Sequence, residues 1–232
     1  MQFGPLAATS REVQEVASLW TGSPVELLQE HDASEAVFKR SAPGRRVLHL
    51  ATHGFFLGSD CATPAVGTRG VGGLATASGR RSNAGTADNP LLLSGLALAG
   101  ANRRAAAGPE DEDGILTAEE VASLNLDGVE WAVLSACDTG LGVVKVGEGV
   151  FGLRRAFQVA GVHTVIMRLW QVEDQSAGNW MRALYEGRLK KKLNTAQAVQ
   201  QASLTVLRDR RAAHQSTHPF YWAGFVATGD WK

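Results

Sequence analysis

Hydrophobic and polar residues follow two patterns along the chain. Runs that are apolar on both faces are typical of strands buried in a parallel sheet, and clear examples lie at residues 47–52, 131–134 and 163–170. Further strands are predicted at 25–28, at 91–98 as a strand or hairpin, and at 220–226. Apolar residues at intervals of three and four, typical of amphipathic helices, occur at about 9–20, 32–40, 117–124, 150–160, 175–188 and 195–210. This alternation predicts an α/β domain with a mainly parallel sheet.

Several helix ends carry residues suited to them. Thr9 with Glu12 and Thr117 with Glu120 have the spacing of a capping box, in which side chains satisfy free backbone groups of the first turn. Gly161 follows the apolar face of the helix predicted at 150–160, and glycine commonly ends a helix.

Two stretches break the periodic pattern, at about 58–89 and about 100–114. We expect both to be flexible surface insertions in a single domain, because long stretches without periodicity are usually functional loops or disordered. The second contains the acidic run 110–113, which we expect to be solvated charge and not a metal site, since metal loops need ligands at defined spacing.

Composition narrows the class of protein. Apolar residues make up 44% of the chain and charged residues 20%, and 23 basic residues balance 23 acidic ones. This balance argues against nucleic-acid partners, and no apolar run approaches the roughly 18 residues of a membrane span. The start of the chain has no secretory pattern, and two cysteines are too few for a disulfide framework. We therefore expect a cytoplasmic globular protein without a membrane or nucleic-acid partner.

Two predicted strands end in chemically reactive residues. The strand at 47–52 leads to His53 and Gly54, and the strand at 131–134 leads to Cys137. If the two strands are neighbours in a parallel sheet, these residues meet at one edge. An imidazole beside a thiol helps to form the nucleophilic thiolate, and the N–H groups of Gly54 and Cys137 could form an oxyanion hole. The residues predict attack on a peptide carbonyl.

These residues lie in a longer set of motifs. In order, HLATHGFF, LSGLALAGAN, GILTAEEVASLNLDG, VLSACDTGLG, GEGVFGLRRAFQVAG, RLWQVEDQSA and HPFYWAGFVATGD closely resemble the CHAT peptidase family of the caspase/separase clan. The resemblance implies a caspase-like, mainly parallel sheet with helices on both faces, and a cysteine endopeptidase. It makes His53 the base and Cys137 the nucleophile, with Gly54 and Cys137 as oxyanion hole, and it requires no metal or organic cofactor.

The resemblance also concerns substrates and partners. Ser135 and Asp138 flank the nucleophile and are expected to line the substrate pocket, and Asp174 could bind a basic side chain before the cleaved bond. The expected partners are a protein or peptide substrate and a separate regulatory protein, because the family often attaches this domain to helical repeats and no repeat is evident here. CHAT domains usually carry a further N-terminal part with the first strand, and this chain is expected to begin after it. Arg168 stands where the family commonly has serine.

Other interpretations remain open. The chain could be a catalytically inactive caspase-like module that binds proteins. The glycines of Gly147–Gly152 also match a dinucleotide-binding loop between an apolar run and a helix, although such a match is weak by itself. His49, inside a strand, is expected to be a hydrogen-bonded core residue, and Cys61 a thiol without a role.

Overall fold

The computed structural model describes residues 2–56, 90–108, 111–138 and 148–231. Within these ranges the α-helices are α1 (Ala7–Ser18), α2 (Glu35–Ser41), α3 (Pro90–Leu93), α4 (Ala118–Ser123), α5 (Glu148–Val159), α6 (Asp174–Leu189) and α7 (Thr195–Ala212). Short 3₁₀ helices lie at Glu30–Asp32, Ala101–Ala106 and Pro219–Tyr221. Among the described residues, no helix is both long enough and apolar enough to cross a membrane.

The described strands form two small sheets. They are β1 (Val47–Leu50), β2 (His53–Phe56), β3 (Ser94–Ala97), β4 (Ile115–Thr117), β5 (Trp131–Leu134), β6 (Cys137–Asp138), β7 (Thr164–Arg168) and β8 (Phe225–Gly229). The first sheet has the order β1-β5-β7-β8, in which β8 is antiparallel and the other pairs are parallel. The second has the order β4-β3-β2-β6, with only β2 and β6 parallel. The predicted α/β class with a mainly parallel main sheet is confirmed.

Helices cover both faces of the first sheet because its central strands are apolar on both sides. Along β5, Ala132 and Leu134 pack with residues of α2, α4 and α5. Trp131 and Val133 point the other way and pack with residues of α1, α6 and α7. Successive side chains of a strand alternate between faces, so a run without polar positions needs a hydrophobic layer on each side.

The predicted helix ends are partly confirmed. Thr117 and Glu120 form the complete capping box at the start of α4. Gly161 follows α5 with φ near 108°, a left-handed conformation that favours glycine. The capping box predicted at Thr9 is wrong, because α1 begins at Ala7 and the Thr9 hydroxyl donates to the Leu6 carbonyl instead.

Three strand predictions also differ from the structure. Residues 25–28 are not a strand, and Val25 and Leu27 are exposed, so the apolar pattern there has no sheet to join. The segment 91–98 begins as the last residues of α3 and continues as β3. The aromatic run from 220 starts in a 3₁₀ helix, whose first turn is capped by the His218 ring, and β8 begins only at Phe225.

The structure describes most of one predicted insertion and none of the other. Residues 58–89 lie outside the described residues. The described part of the stretch at 100–114 contains the 3₁₀ helix Ala101–Ala106, in which Ala101 is buried, and the flexibility of the stretch remains a prediction. Gly114 there packs so closely against the Gly100–Ala101 backbone that a Cβ atom would lie 2.3 Å from the Ala101 nitrogen.

Part of the acidic run joins a partly buried ion cluster. The Lys39 ammonium lies 2.7 Å from Glu35, 2.7 Å from Glu112 and 2.9 Å from Glu120. The other Glu35 oxygen accepts the Gly114 N–H at 3.0 Å. Three carboxylates so close together could hold a cation, and the lysine ammonium takes that place. Glu112 is thus a structural residue, a role that the solvated-charge prediction missed.

Burial and charge shift the titration of this cluster. Burial raises the pKa of Glu35 to about 7, while the hydrogen bond from Lys39 holds the pKa of Glu112 below its ordinary value. Burial opposes the charge on Lys39, but its three carboxylate partners raise the pKa of the ammonium above its ordinary value. From about pH 4.5 to pH 7, Glu35 holds a proton in the folded chain only, so its own contribution to stability falls as the pH rises.

Replacing Lys39 with methionine tests this cluster. Because Lys39→Met leaves three neighbouring carboxylates without a counter-ion, we expect it to lower the free energy of unfolding by about 3 kcal/mol at pH 7.5. The loss should be smaller at pH 5, where protonation relieves the repulsion. Urea denaturation at the two pH values measures both effects. The control Lys190→Met removes an exposed ion pair with Glu186 and should cost less than about 0.5 kcal/mol. An equal loss in the two variants would contradict the analysis.

Candidate functional site

The strands β1 and β5 are parallel neighbours, and both continue beyond the first sheet. After two residues, β1 continues as β2 and β5 as β6, and these continuations are again parallel neighbours. Leu50 pairs with Leu134 in the first sheet and His53 pairs with Cys137 in the second, so the register is the same on both sides of the break. The backbones of His53 and Cys137 therefore lie directly beside each other, at the strand spacing of roughly 4.8 Å.

The imidazole of His53 is held by the N-terminal segment. It is half-buried, and its Nε2 lies 2.7 Å from the backbone carbonyl oxygen of Gly4. A carbonyl oxygen can only accept, so Nε2 carries a proton and donates it to this bond. In the neutral ring, Nδ1 is then the free basic nitrogen. The Phe3 ring packs against the imidazole with centroids 5.5 Å apart, which restricts its rotation.

The Gly4 carbonyl is positioned by Asn102. The Asn102 side-chain oxygen accepts the Phe3 N–H at 2.8 Å, and the Asn102 side-chain nitrogen donates to the Phe3 carbonyl at 2.8 Å. Asn102 lies in the 3₁₀ helix that follows Gly100, which has a left-handed φ near 105°. The sequence analysis missed Gly4 and Asn102 as site residues. The available signal was that Asn102 ends the motif LSGLALAGAN, but nothing in that motif indicates which backbone segment its side chain binds.

Ser135 and Arg168 lie side by side where β5 and β7 end. An Arg168 Nη2 group donates to the Ser135 carbonyl at 3.2 Å, and the guanidinium carbon lies 5.9 Å from the centre of the Phe225 ring. Both residues are buried, with Ser135 2% and Arg168 9% exposed. The Ser135 hydroxyl and the Arg168 Nε are buried polar atoms without a hydrogen-bond partner.

The remaining predicted site residues lie at the same edge or next to it. Gly54 is buried and pairs in register with Leu96 on one side and Asp138 on the other. Its role in an oxyanion hole with Cys137 remains a prediction. Asp174 is the first residue of α6, after the loop that follows β7, and it is exposed.

Two further predictions from the sequence concern His49 and Cys61. His49 is a hydrogen-bonded core residue as predicted: its Nδ1 lies 2.9 Å from the Tyr185 hydroxyl and its Nε2 lies 3.0 Å from Glu12. Burial, and next the charge of Glu12, raise the pKa of Tyr185 above its ordinary value, so the phenol stays protonated and donates to His49. Cys61 lies outside the described residues.

Two glycines of the alternative dinucleotide loop lie within a helix. Gly149 and Gly152 are inside α5, whereas a phosphate-binding loop needs its first glycines in the turn before the helix. Gly147 and the apolar run before it lie outside the described residues. The described part of this segment is therefore a helix and offers no phosphate cradle.

A cavity of about 1250 Å³ lies along the free edge of β1. Its lining includes His53, Gly4, Asn102, His49 and Tyr185, but not Ser135 or Arg168. His53 thus borders the cavity, and its backbone pairs with β6.

A family model for the CHAT domain matches residues 1–230. The chain belongs to the CHAT domain family. The match spans the described strands and the two neighbouring strand ends that carry His53 and Cys137, so the family and its caspase-like fold are shown for nearly the whole chain.

Curated relatives cover only part of this CHAT domain. It is 30% identical over 122 residues to tetratricopeptide repeat protein 28 of Homo sapiens, a match that covers 53% of this chain and 5% of that protein. It is also 30% identical over 116 residues to tetratricopeptide repeat protein 28 of Mus musculus, covering 50% of this chain and 4% of that protein. The chain therefore spans a small fraction of the length of the relatives it matches.

The hydrogen bonds that position the His53 imidazole give a testable expectation for the CHAT domain. Asn102→Ala removes both hydrogen bonds to Phe3, so we expect the Gly4 carbonyl to move and the His53 ring to lose its preference for a proton on Nε2. Nitrogen chemical shifts of the His53 ring measure this preference. The control Asn179→Ala changes an exposed asparagine of α6 and should leave the shifts unchanged. A wild-type ring protonated mainly on Nδ1 would show that the Gly4 bond does not orient it.

Proposed function

We propose that this CHAT domain is a cysteine endopeptidase that hydrolyses peptide bonds of protein substrates with a His53/Cys137 dyad. The observation that carries the proposal is the register that pairs His53 with Cys137 on neighbouring parallel strands. The hydrogen bond from Nε2 to Gly4 supports it, because that bond leaves Nδ1 as the free basic nitrogen of the neutral ring. Membership of the CHAT family adds a peptidase-like fold.

In the first step, His53 acts as general base. Nδ1 takes the proton of the Cys137 thiol, and the resulting thiolate attacks the peptide carbonyl carbon. The imidazolium that forms is stabilised by its Nε2–H bond to the Gly4 carbonyl, because a charged donor makes a stronger hydrogen bond than a neutral one. The N–H groups of Gly54 and Cys137 stabilise the tetrahedral oxyanion, and such a donor contributes about 3–4 kcal/mol to acyl transfer.

In the second step, the carbon–nitrogen bond breaks. The imidazolium donates its Nδ1 proton to the leaving amine, and the acyl group remains on sulfur as a thioester. A water molecule then gives a proton to Nδ1 and attacks the thioester carbon. The carbon–sulfur bond breaks, the sulfur takes the proton back from Nδ1, and the carboxylic acid leaves. Each step uses groups of this chain and water.

Three further residues are proposed to contact the substrate. Ser135 and Asp138 flank Cys137 in the sequence, and Asp174 starts the helix after the loop that follows β7. Their position at the carboxyl ends of neighbouring strands supports this role, since ligands of parallel α/β sheets bind at that edge.

A separate regulatory protein is proposed as a partner. The relatives that match part of this chain are named as tetratricopeptide repeat proteins, and such helical repeats commonly form concave surfaces that bind other chains. We expect the purified chain to cleave peptides slowly and to be accelerated by its partner. Full-rate cleavage of polypeptide by the purified chain alone would contradict this expectation.

Replacement of the dyad tests the proposed chemistry. Cys137→Ala should abolish peptide cleavage and labelling by a thiol-reactive peptide probe, because it removes the nucleophile. His53→Ala should reduce turnover by at least about 100-fold while the circular dichroism spectrum is retained, since the base contributes about 10²–10⁴ to the rate. Cleavage assays and mass spectrometry of the labelled chain provide the measurements.

The second cysteine of the sequence supplies the matched control. Cys61→Ala should leave both cleavage and labelling close to the values of the unchanged chain. A Cys137→Ala protein that still cleaves normally would refute the dyad. A folded chain that is neither active nor labelled would instead favour a non-catalytic interaction module.

A further inference from the structure

Arg168 is a buried cation at the edge of the sheet that carries the candidate dyad. It is the last residue of β7, and Ile166, two residues earlier on the same face, packs in the core on the α6 side. Its guanidinium therefore lies on that side, beside the Phe225 ring, which is itself stacked on Trp180. We call the group formed by the Arg168 guanidinium, Ser135 and the Phe225 ring the Arg168 recess.

The charge of Arg168 is poorly compensated in the described structure. Among the described residues, the Arg168 guanidinium donates to the Ser135 carbonyl, and its Nε has no hydrogen-bond partner. Among the described side chains, no carboxylate lies within ion-pair distance of it, whereas Arg210, equally buried, pairs with Glu173. A buried guanidinium normally has a carboxylate partner, because desolvation of an unpaired charge is costly.

A second unpartnered group faces the same place. The Ser135 hydroxyl is buried without a hydrogen bond, although the Ser135 backbone is satisfied by Leu50 and Arg168. Two unsatisfied polar side chains in one recess indicate a missing ligand that accepts hydrogen bonds. A carboxylate fits both, since its two oxygens match the planar guanidinium and can also accept from a hydroxyl.

The Arg168 recess lies next to the candidate nucleophile. Leu134 and Met167 pair in register, so Ser135 and Arg168 follow at the ends of adjacent parallel strands. Ser135 precedes Cys137 by two residues. Arg168 remains 9% exposed, so part of its side chain is open to a bound peptide.

We propose that the Arg168 recess binds the acidic side chain, aspartate or glutamate, of the residue immediately before the cleaved bond. This specificity rests on the proposed endopeptidase function. A lysine or arginine side chain would place a second cation against Arg168, and an apolar one would leave the guanidinium unpaired. Asp174, suggested by the sequence for a basic side chain, is exposed, so its charge is screened by water and acts more weakly than a buried one.

Peptides that differ at one position test the specificity. The full chain is assayed against peptides with Asp, Glu, Asn, Gln, Lys or Leu before the cleaved bond. We expect kcat/KM for Asp or Glu to exceed that for Asn or Gln by at least about 100-fold, because a site built to bind a polar group rejects an analogue that leaves it unpaired. Equal rates, or a preference for Lys or Leu, would overturn the proposal.

Variants of the recess assign the preference to its residues. Arg168→Gln should reduce the acid-to-amide ratio to less than about tenfold, and the milder Ser135→Ala should reduce it by about tenfold. The control Arg155→Gln removes an exposed arginine of α5 and should leave the ratio unchanged. A wild-type preference that persists in a folded Arg168→Gln protein would also overturn the assignment. The ratio in the unchanged chain stands as a test even where a variant does not fold.

A pair of inhibitors separates this proposal from the function on which it rests. Two thiol-reactive peptide probes differ only by Asp or Asn before the reactive group. Faster labelling of Cys137 by the Asp probe supports the recess, and equal labelling of Cys137 by both refutes it while the endopeptidase proposal stands. If no peptide is cleaved and neither probe labels Cys137, the endopeptidase proposal fails, and the specificity falls with it.

Discussion

The parallel register between two strands is the constraint on which the candidate site depends. β5 is buried on both faces and β1 is partly buried, and their pairing continues with the same offset through the break into β2 and β6. Backbone hydrogen bonds and two hydrophobic layers hold this register, because a shift by one residue would turn every core side chain of a strand to the opposite face. The positions of His53 and Cys137 are thus set by the hydrophobic pattern of strands that perform no chemistry themselves.

Orientation of the imidazole depends on a different part of the chain. The bond from His53 to Gly4 requires the Phe3 backbone to be held by Asn102, and Asn102 is placed by the close packing of Gly114 against Gly100 and Ala101. Glu35 accepts the Gly114 N–H, and Lys39 neutralises Glu35. A chain of contacts therefore connects the acidic cluster to the candidate base, and polar groups remote from the dyad support its geometry.

The edge of the sheet carries an exposed charge and a buried charge, and water screens them to different degrees. Asp174 is exposed at the start of α6, whereas Arg168 is buried against an aromatic wall and lacks a carboxylate among the described side chains. Water screens the first charge strongly and the second weakly, so the sign of the buried group governs what the edge attracts.

The sequence by itself determined the elements whose signal is local. The apolar runs of β1, β5 and β7, the capping box of Thr117 and the glycine that ends α5 were all predictable, because each depends on residues within one or two turns or strands. Residues 25–28 show the limit: their pattern suits a strand, but Val25 and Leu27 are exposed, with no sheet to join. Only the tertiary structure decided that Gly4 meets His53, that Asn102 binds Phe3, that Glu112 meets Lys39 and that Arg168 is buried without a counter-ion. These contacts join residues far apart in the chain, and long-range packing, not local propensity, determines them.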